Sequence, residues 1–242
     1  MDCVAAQTES ACESGLLRTA EGTPLRPGGV ALTERAMRGG RWRPGELVMD
    51  LGCGGGTSLR LLAAHGLAAI GVDLSHAALQ QARQGGAGWL TQADAASLPF
   101  RRSSMHGVLA ECSLSLMPDK VLTELWCVLA RGGRLVVTDL YRRGPSCDVA
   151  AFLPRCLAGL MSAGEWQVRL ASRHFALQRW EDHSDVLGAF MAQFIFAQCD
   201  SGRSWFGDPC DAIEASRLRQ AIRVIRPGYM LFVASKEGHD DG

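Results

Sequence analysis

The stretch VMDLGCGGGTSLRLL (residues 48–62) decides the fold. An apolar run, ELVMDLG (46–52), stops at glycines, and TSLRLLAAHG (57–66) follows with helical spacing and a glycine stop of its own. A buried strand, a tight turn and a helix in that order predict one unit of a parallel sheet. Gly52, Gly54 and Gly56 leave the turn without Cβ atoms, so backbone amides can approach a ligand closely before the helix begins. The same physics serves dinucleotides, and spacing separates the cases. A dinucleotide fingerprint needs glycine at 57, where Thr57 stands. An acid instead sits two residues before the first glycine, giving Asp-x-Gly-x-Gly-x-Gly. The Asp50 carboxylate would repel a pyrophosphate and suits a ligand bearing a cation.

Outward from the loop, strand and helix patterns alternate. AAIGVDL (68–74), GWLTQAD (88–94), GVLAE (107–111) and GRLVVTDLY (133–141) read as further strands. Between them lie SHAALQQARQGG, with Ser75 as N-cap, and PDKVLTELWCVLARGG, opened by Pro118 and closed by its double glycine. Upstream, GVALTERAMR (29–38) is a short helix stopped by Gly39–Gly40, and residues 1–27 read as a loosely ordered tail. After Gly144–Pro145 the pattern becomes helical over 148–171. HFALQRW (174–180) is a strand, 184–198 an apolar helix, and another helix runs to about Val224 before the strand GYMLFVASK (228–236). These elements predict a doubly wound, Rossmann-like α/β fold. It would be a mostly parallel seven-stranded sheet with helices on both faces and a helical C-terminal insertion. One domain is expected over 28–242, with a cofactor-binding half (28–141) and a substrate-side half (142–242).

Charge and cysteine usage exclude several function classes. Lys plus Arg (25) balances Asp plus Glu (25), without the basic excess of a nucleic-acid binder. Clusters such as Arg38–Arg41–Arg43, Arg101–Arg102 and Arg142–Arg143 read as solvated faces. The nine cysteines include no Cys-x-x-Cys pair, and their number is odd. MDCVAAQTES has neither a basic start nor an apolar run, so a reduced, cytoplasmic setting is expected rather than a secreted disulfide scaffold. The longest apolar segment, GAFMAQFIFAQ (188–198), is too short for a membrane span. Its Phe190, Phe194 and Ile195 recur at helical spacing and are expected to pack a core.

Two further carboxylates fall in register with the loop. Asp73 ends the second strand about twenty residues on, where nucleotide-binding α/β folds place an acid on ribose hydroxyls. Asp94 ends the third strand, within reach of an adenine amino group. At MDLGCGGG, GVDLS, the AD of QADAASLPF and ARGGRLVVTD the sequence resembles the class I S-adenosylmethionine-dependent methyltransferases, over about residues 45–141. The resemblance implies S-adenosylmethionine as cofactor. Asp50, Gly52, Cys53, Gly54 and Gly56 would cradle its methionine end, Asp73 would take the ribose, Leu74 would pack on adenine, and Asp94–Ala95 would border the adenine edge. Glu111, at the end of the fourth strand, corresponds to a position facing the reacting methyl in many relatives.

Methyl transfer is an in-line displacement on a sulfonium carbon, and alignment supplies most of its catalysis, so a conspicuous triad is not expected. His65, His76, His106, His174, His183 and His239 show no metal-ligand spacing, and no metal is expected. His106 is a candidate general base, placed just before the fourth strand on the cofactor side. ECSLSLMPDK (111–120) and LPRCLAG (153–159) also resemble the small-molecule branch that includes arsenite methyltransferases. There the position of Cys156 holds trivalent arsenic, although the ligand cysteine those enzymes carry after the glycine loop falls here at Leu59. The expected function is methyl transfer to a small-molecule acceptor, with the helices after 148 forming the acceptor pocket. A thiophile acceptor held by Cys156, or a non-catalytic cofactor binder of the same fold, are the alternatives. The candidate catalytic residues are thus Glu111, Cys156 and His106. The sequence leaves the oligomeric state open.

Overall fold

A computed structural model describes residues 26–146, 157, 159–199 and 212–238. Its elements are α1 (Gly29–Gly40), β1 (Leu47–Leu51), α2 (Thr57–Ala64), β2 (Ala68–Asp73), α3 (His76–Gln84), β3 (Trp89–Gln92), β4 (Met105–Glu111), a 3-10 turn (Leu114–Leu116), α4 (Lys120–Val128), β5 (Leu129–Arg142), α5 (Ala163–Ala171), β6 (Phe175–Asp182), α6 (Ser184–Cys199), α7 (Ala212–Ile225) and β7 (Pro227–Lys236). The seven strands form one sheet in the order β3-β2-β1-β4-β5-β7-β6. Neighbours among β1 to β5 pair in parallel, and β7 runs antiparallel to both β5 and β6. The order reverses between β1 and β4. At such a switch point the loops leaving the two strands diverge and open a crevice at their carboxyl ends.

Alternation along each strand divides the apolar side chains between two faces. On one face Val48, Leu109, Val136, Leu231 and Val233 pack against Leu32, Ala36 and Met37 of α1, Leu62 of α2, and Leu187 and Phe190 of α6. On the other, Met49, Val108, Ala110, Leu135, Val137 and Phe232 meet Val121, Leu122 and Leu125 of α4 and Trp166 and Leu170 of α5. Each large side chain removed from water this way contributes about 1.5–3 kcal/mol. The central strands β1, β4, β5 and β7 are buried on both sides, which is why their sequences read as apolar runs, whereas the edge strands β3 and β6 are partly exposed. Phe190 is buried as expected, whereas the side chains of Phe194 and Ile195 lie outside the described residues.

Several boundaries differ from expectation, each for a local reason. The helix opened by Pro118 ends at Val128, before the double glycine. The buried Leu129 pairs with Met105, so the chain enters the sheet early and Gly132 makes its turn inside the strand, at φ 73°. Helix α5 starts only at Ala163, where Ser162 and Glu165 form a reciprocal capping box that breaks the expected helix over 148–171. Ser75 does cap α3, accepting from the Ala78 amide.

Arg26 and Pro27, the last two residues of the expected tail, pack against the fold. Pro27 is buried, and the Gly29 amide donates to the Arg26 carbonyl at 3.0 Å. Pro27 in second place and Gly28 in third, at φ 77° and ψ −9°, make this a type II turn. A Cβ at Gly28 would stand 2.5 Å from the Leu32 Cβ. The turn therefore fixes how Arg26 meets the start of α1. Gly28→Ala should lower stability by about 1–3 kcal/mol, read from the denaturant midpoint, because it combines an unfavourable φ with that clash.

Candidate active site

The glycine loop lies at the carboxyl end of β1. Gly52, Gly54 and Gly56 all have positive φ (70°, 50° and 75°), which L side chains rarely adopt. A Cβ on Gly52 would come 2.8 Å from the Ser113 Cβ, whereas one on Gly54 would meet nothing within 4 Å. The loop is thus packed from below and open above. The Gly52 and Cys53 amides donate to the Val72 carbonyl, binding the loop to β2. The Cys53 side chain is buried beneath it. Burial first, and then the Asp50 and Asp73 charges, push its thiol well above the usual range. Cys53 therefore contributes backbone to the loop and no reactive sulfur.

Asp73 ends β2 and braces the loop. Its Oδ2 accepts from the Gly54 amide at 2.8 Å, and its Oδ1 from the Ser75 amide at 2.9 Å. Leu74 beside it is 69% exposed, an apolar surface left uncovered next to the loop. Asp94 is exposed and accepts from the Ala96 amide, closing the turn after β3, and Ala95 beneath it is buried. The glycine loop, Asp73 and Asp94–Ala95 therefore share one rim of the sheet.

Below the rim lies a polar cluster that alternation places on a single face. Asp50 on β1, Glu111 on β4, Thr138 on β5 and Tyr229 on β7 all point toward α1 and α2. Glu111 Oε1 accepts from Thr33 Oγ1 at 3.0 Å and from Thr138 Oγ1 at 3.3 Å, and its Oε2 accepts from Ser58. The Arg26 guanidinium stands 3.7 Å from the same carboxylate and donates to Thr33 Oγ1 at 2.5 Å. The Tyr229 hydroxyl donates to Thr138 at 3.4 Å and contacts Cys112 Sγ at 2.9 Å. Burial of Tyr229, with Cys112 and Glu111 beside it, keeps that phenol protonated.

Asp50 is 2% exposed, and among the described residues its Oδ2 has no hydrogen-bond partner. Burial, then the Glu111 charge, raise its carboxyl to about 8, against the opposing pull of Arg26 and the Leu59 amide. On the opposite face Asp139 is also buried and raised by burial, but the Ser115 amide and hydroxyl and the Leu140 amide satisfy it. Together with the Ser113 hydroxyl on the Leu51 carbonyl, it ties the segment after β4 to the ends of β1 and β5.

The catalytic candidates fare differently. Glu111 faces the site, but as a carboxylate already accepting three hydroxyls. His106 lies within β4, because that strand begins at Met105. Its Nδ1 accepts from the Leu47 amide at the start of β1, so His106 sits at the opposite end of the sheet from the glycine loop. It is therefore removed as a base. Cys156 lies outside the described residues. Leu59, in the position of an expected thiolate, is a buried core side chain of α2. Sequence reasoning missed Arg26, Thr33, Ser58, Thr138 and Tyr229. The Pro-Gly pair after Arg26 was its one local signal, because the others acquire their role only through strand register. An open groove of about 450 Å³, lined by Asp119, Met161, Gly164, Glu165, Val168, Arg169 and Ser172, contains none of these side chains.

Residues 49–137 match the family described as a methyltransferase domain. The demethylmenaquinone methyltransferase of Clavibacter sepedonicus is 31% identical over 169 residues, covering 64% of this chain and 67% of that protein. The chain belongs to the class I S-adenosylmethionine-dependent methyltransferases. The methyltransferase is also 30% identical over 135 residues to the arsenite methyltransferase of Halobacterium salinarum, across 49% of this chain but only 33% of that one. In fold it resembles phosphoethanolamine N-methyltransferase 2 of Haemonchus contortus with bound S-adenosyl-L-methionine, at TM-score 0.69 and 18% identity, covering 88% of this chain and 54% of that one. The family's cofactor fits the site. The unpartnered Asp50 oxygen suits an ammonium, the open side of Gly54 leaves room above the loop, and uncovered Leu74 suits an aromatic base.

Asp50 makes stability depend on pH. Its folded value, near 8, lies above the ordinary 3.8, so stability present at pH 3 is lost as pH rises from about 4 to 8. Asp50→Asn should remove that loss. It should stabilise the protein at pH 8 by at most about 5 kcal/mol and hardly at all at pH 3, read from denaturant midpoints at both pH values.

Proposed function

We propose that the chain transfers the methyl group of S-adenosylmethionine to a small acceptor with an apolar body. The observation that carries the reading is the buried, unpartnered Asp50 oxygen at the foot of an open glycine loop. Asp50 would receive the amino group of the methionine end over the backbone of Gly52, Cys53, Gly54 and Gly56. Both oxygens of Asp73 already hold backbone amides, and each keeps a second lone pair for a ribose hydroxyl. Leu74 would pack on the adenine, with Asp94 and Ala95 at its edge.

When bound, S-adenosylmethionine supplies an electrophilic methyl carbon and a thioether leaving group. The protein's own part is alignment in a dry, charged site. Glu111, held by three hydroxyls with Arg26 nearby, acts as a fixed negative anchor rather than a base. Val30 on α1 and Leu116 after β4 present exposed apolar side chains on the segments that flank Glu111, which supports an acceptor with an apolar body. No described helix is long and apolar enough to cross a membrane. The balanced charge supports a small-molecule acceptor rather than nucleic acid, and the cysteine pattern supports a cytoplasmic setting.

Calorimetric titration with S-adenosylhomocysteine tests the first step. An ammonium beside Asp50 returns its carboxyl to the charged form, so binding at pH 7 should release up to about one proton and tighten from pH 6 to 8. Apparent enthalpies in buffers of different ionisation heat measure that release, which Asp50→Asn should abolish. Asp73→Ala should weaken binding about 10- to 100-fold. Absence of binding to the wild type overturns the reading. Incubating a cell extract with the protein and methyl-labelled cofactor should then reveal the acceptor by its mass shift.

A further inference from the structure

We propose that Arg26 is a cofactor-positioning residue whose guanidinium receives the carboxylate of the same amino-acid end group whose amino group Asp50 receives. The proposal rests on the cofactor reading above and adds a residue from outside the methyltransferase motifs.

Two buried atoms in this cluster lack partners among the described residues, and they are opposite in kind. Asp50 Oδ2 is an acceptor without a donor, and Arg26 Nε is a donor without an acceptor. Leaving either buried and unpaired is costly, so a site that holds both is complementary to a ligand bringing one group of each sort. The other unpartnered atoms lie elsewhere, on Trp42, on Trp166, Arg169 and Arg173 in and after α5, and on Glu181 of β6. A zwitterionic α-amino acid end carries the required pair on one carbon.

Geometry aims Arg26 at this task. The type II turn at Pro27–Gly28 fixes its backbone, and Thr33 holds Nη2. Glu111, at 3.7 Å from Nη2, draws the guanidinium inward without a hydrogen bond at Nε. The groups acting on Asp50 are Glu111 from β4, Asp73 from β2, the Leu59 amide from α2 and Arg26 itself, so the arginine is the one cation among them. The planar guanidinium presents Nε–H and Nη–H in a fork that matches a carboxylate.

Three ligands separate the contributions in calorimetric titrations of the whole protein. S-adenosylhomocysteine carries both groups, decarboxylated S-adenosylmethionine only the amine, and 5′-methylthioadenosine neither. Arg26→Gln should weaken S-adenosylhomocysteine about tenfold or more and leave the other two within about twofold. Arg26→Lys should recover part of the loss. Asp50→Asn should weaken both amine-bearing ligands and spare methylthioadenosine. An equal loss for all three ligands, or no loss for S-adenosylhomocysteine, overturns the proposal while leaving the cofactor reading intact. A wild type that binds none of them overturns both. Should Arg26→Gln fail to fold, Arg26→Lys decides with the same ligands: a loss confined to S-adenosylhomocysteine supports the proposal, and a uniform loss or none overturns it.

Discussion

Asp50 and Glu111 leave neighbouring parallel strands on the same face of the sheet, and little solvent reaches either. Two carboxylates so placed repel each other and forgo hydration, which is tolerable only where other groups answer them. Glu111 is answered by three hydroxyls from three elements and by the nearby Arg26. Asp50 is answered only in part. Much of the surrounding architecture follows from that asymmetry: α1 lies across β4, β5 and β7 with Thr33 turned inward, and α2 starts where Ser58 meets Glu111.

The opposite face shows the same chemistry resolved differently. Asp139 is as buried as Asp50, yet amides and a hydroxyl from the segment after β4 saturate it. That saturated carboxylate is structural: it fixes the chain that carries Ser113 against Gly52. The comparison separates a buried acid that shapes a loop from one left ready for a ligand. The distinguishing quantity is the number of donors, and not the degree of burial.

The sequence made most of the frame legible because its signals are local. Glycines stop strands, Ser75 caps a helix, and apolar runs mark strands covered on both sides. The glycine loop and Asp73 could be placed from spacing alone, since each follows directly on a strand end. The polar cluster was not legible, because Thr33, Ser58, Thr138 and Tyr229 lie up to 196 residues apart and meet only through strand order and parity. His106 was misplaced because the residue that leads into a parallel strand lies at its amino end, opposite the carboxyl ends that carry the glycine loop. Helix α4 was overextended because a buried leucine, Leu129, outweighed a glycine stop.

Cys53 has a consequence for durability. A cysteine in the middle of a ligand-facing turn would ordinarily expose the protein to oxidants and alkylating agents. Here the sulfur lies inside the fold beside Gly71, and two neighbouring carboxylates oppose its ionisation. The thiolate that such reagents attack is therefore scarce. The turn takes from this residue a small apolar filler and an amide, and its chemistry stays shielded whether the surroundings are reducing or not.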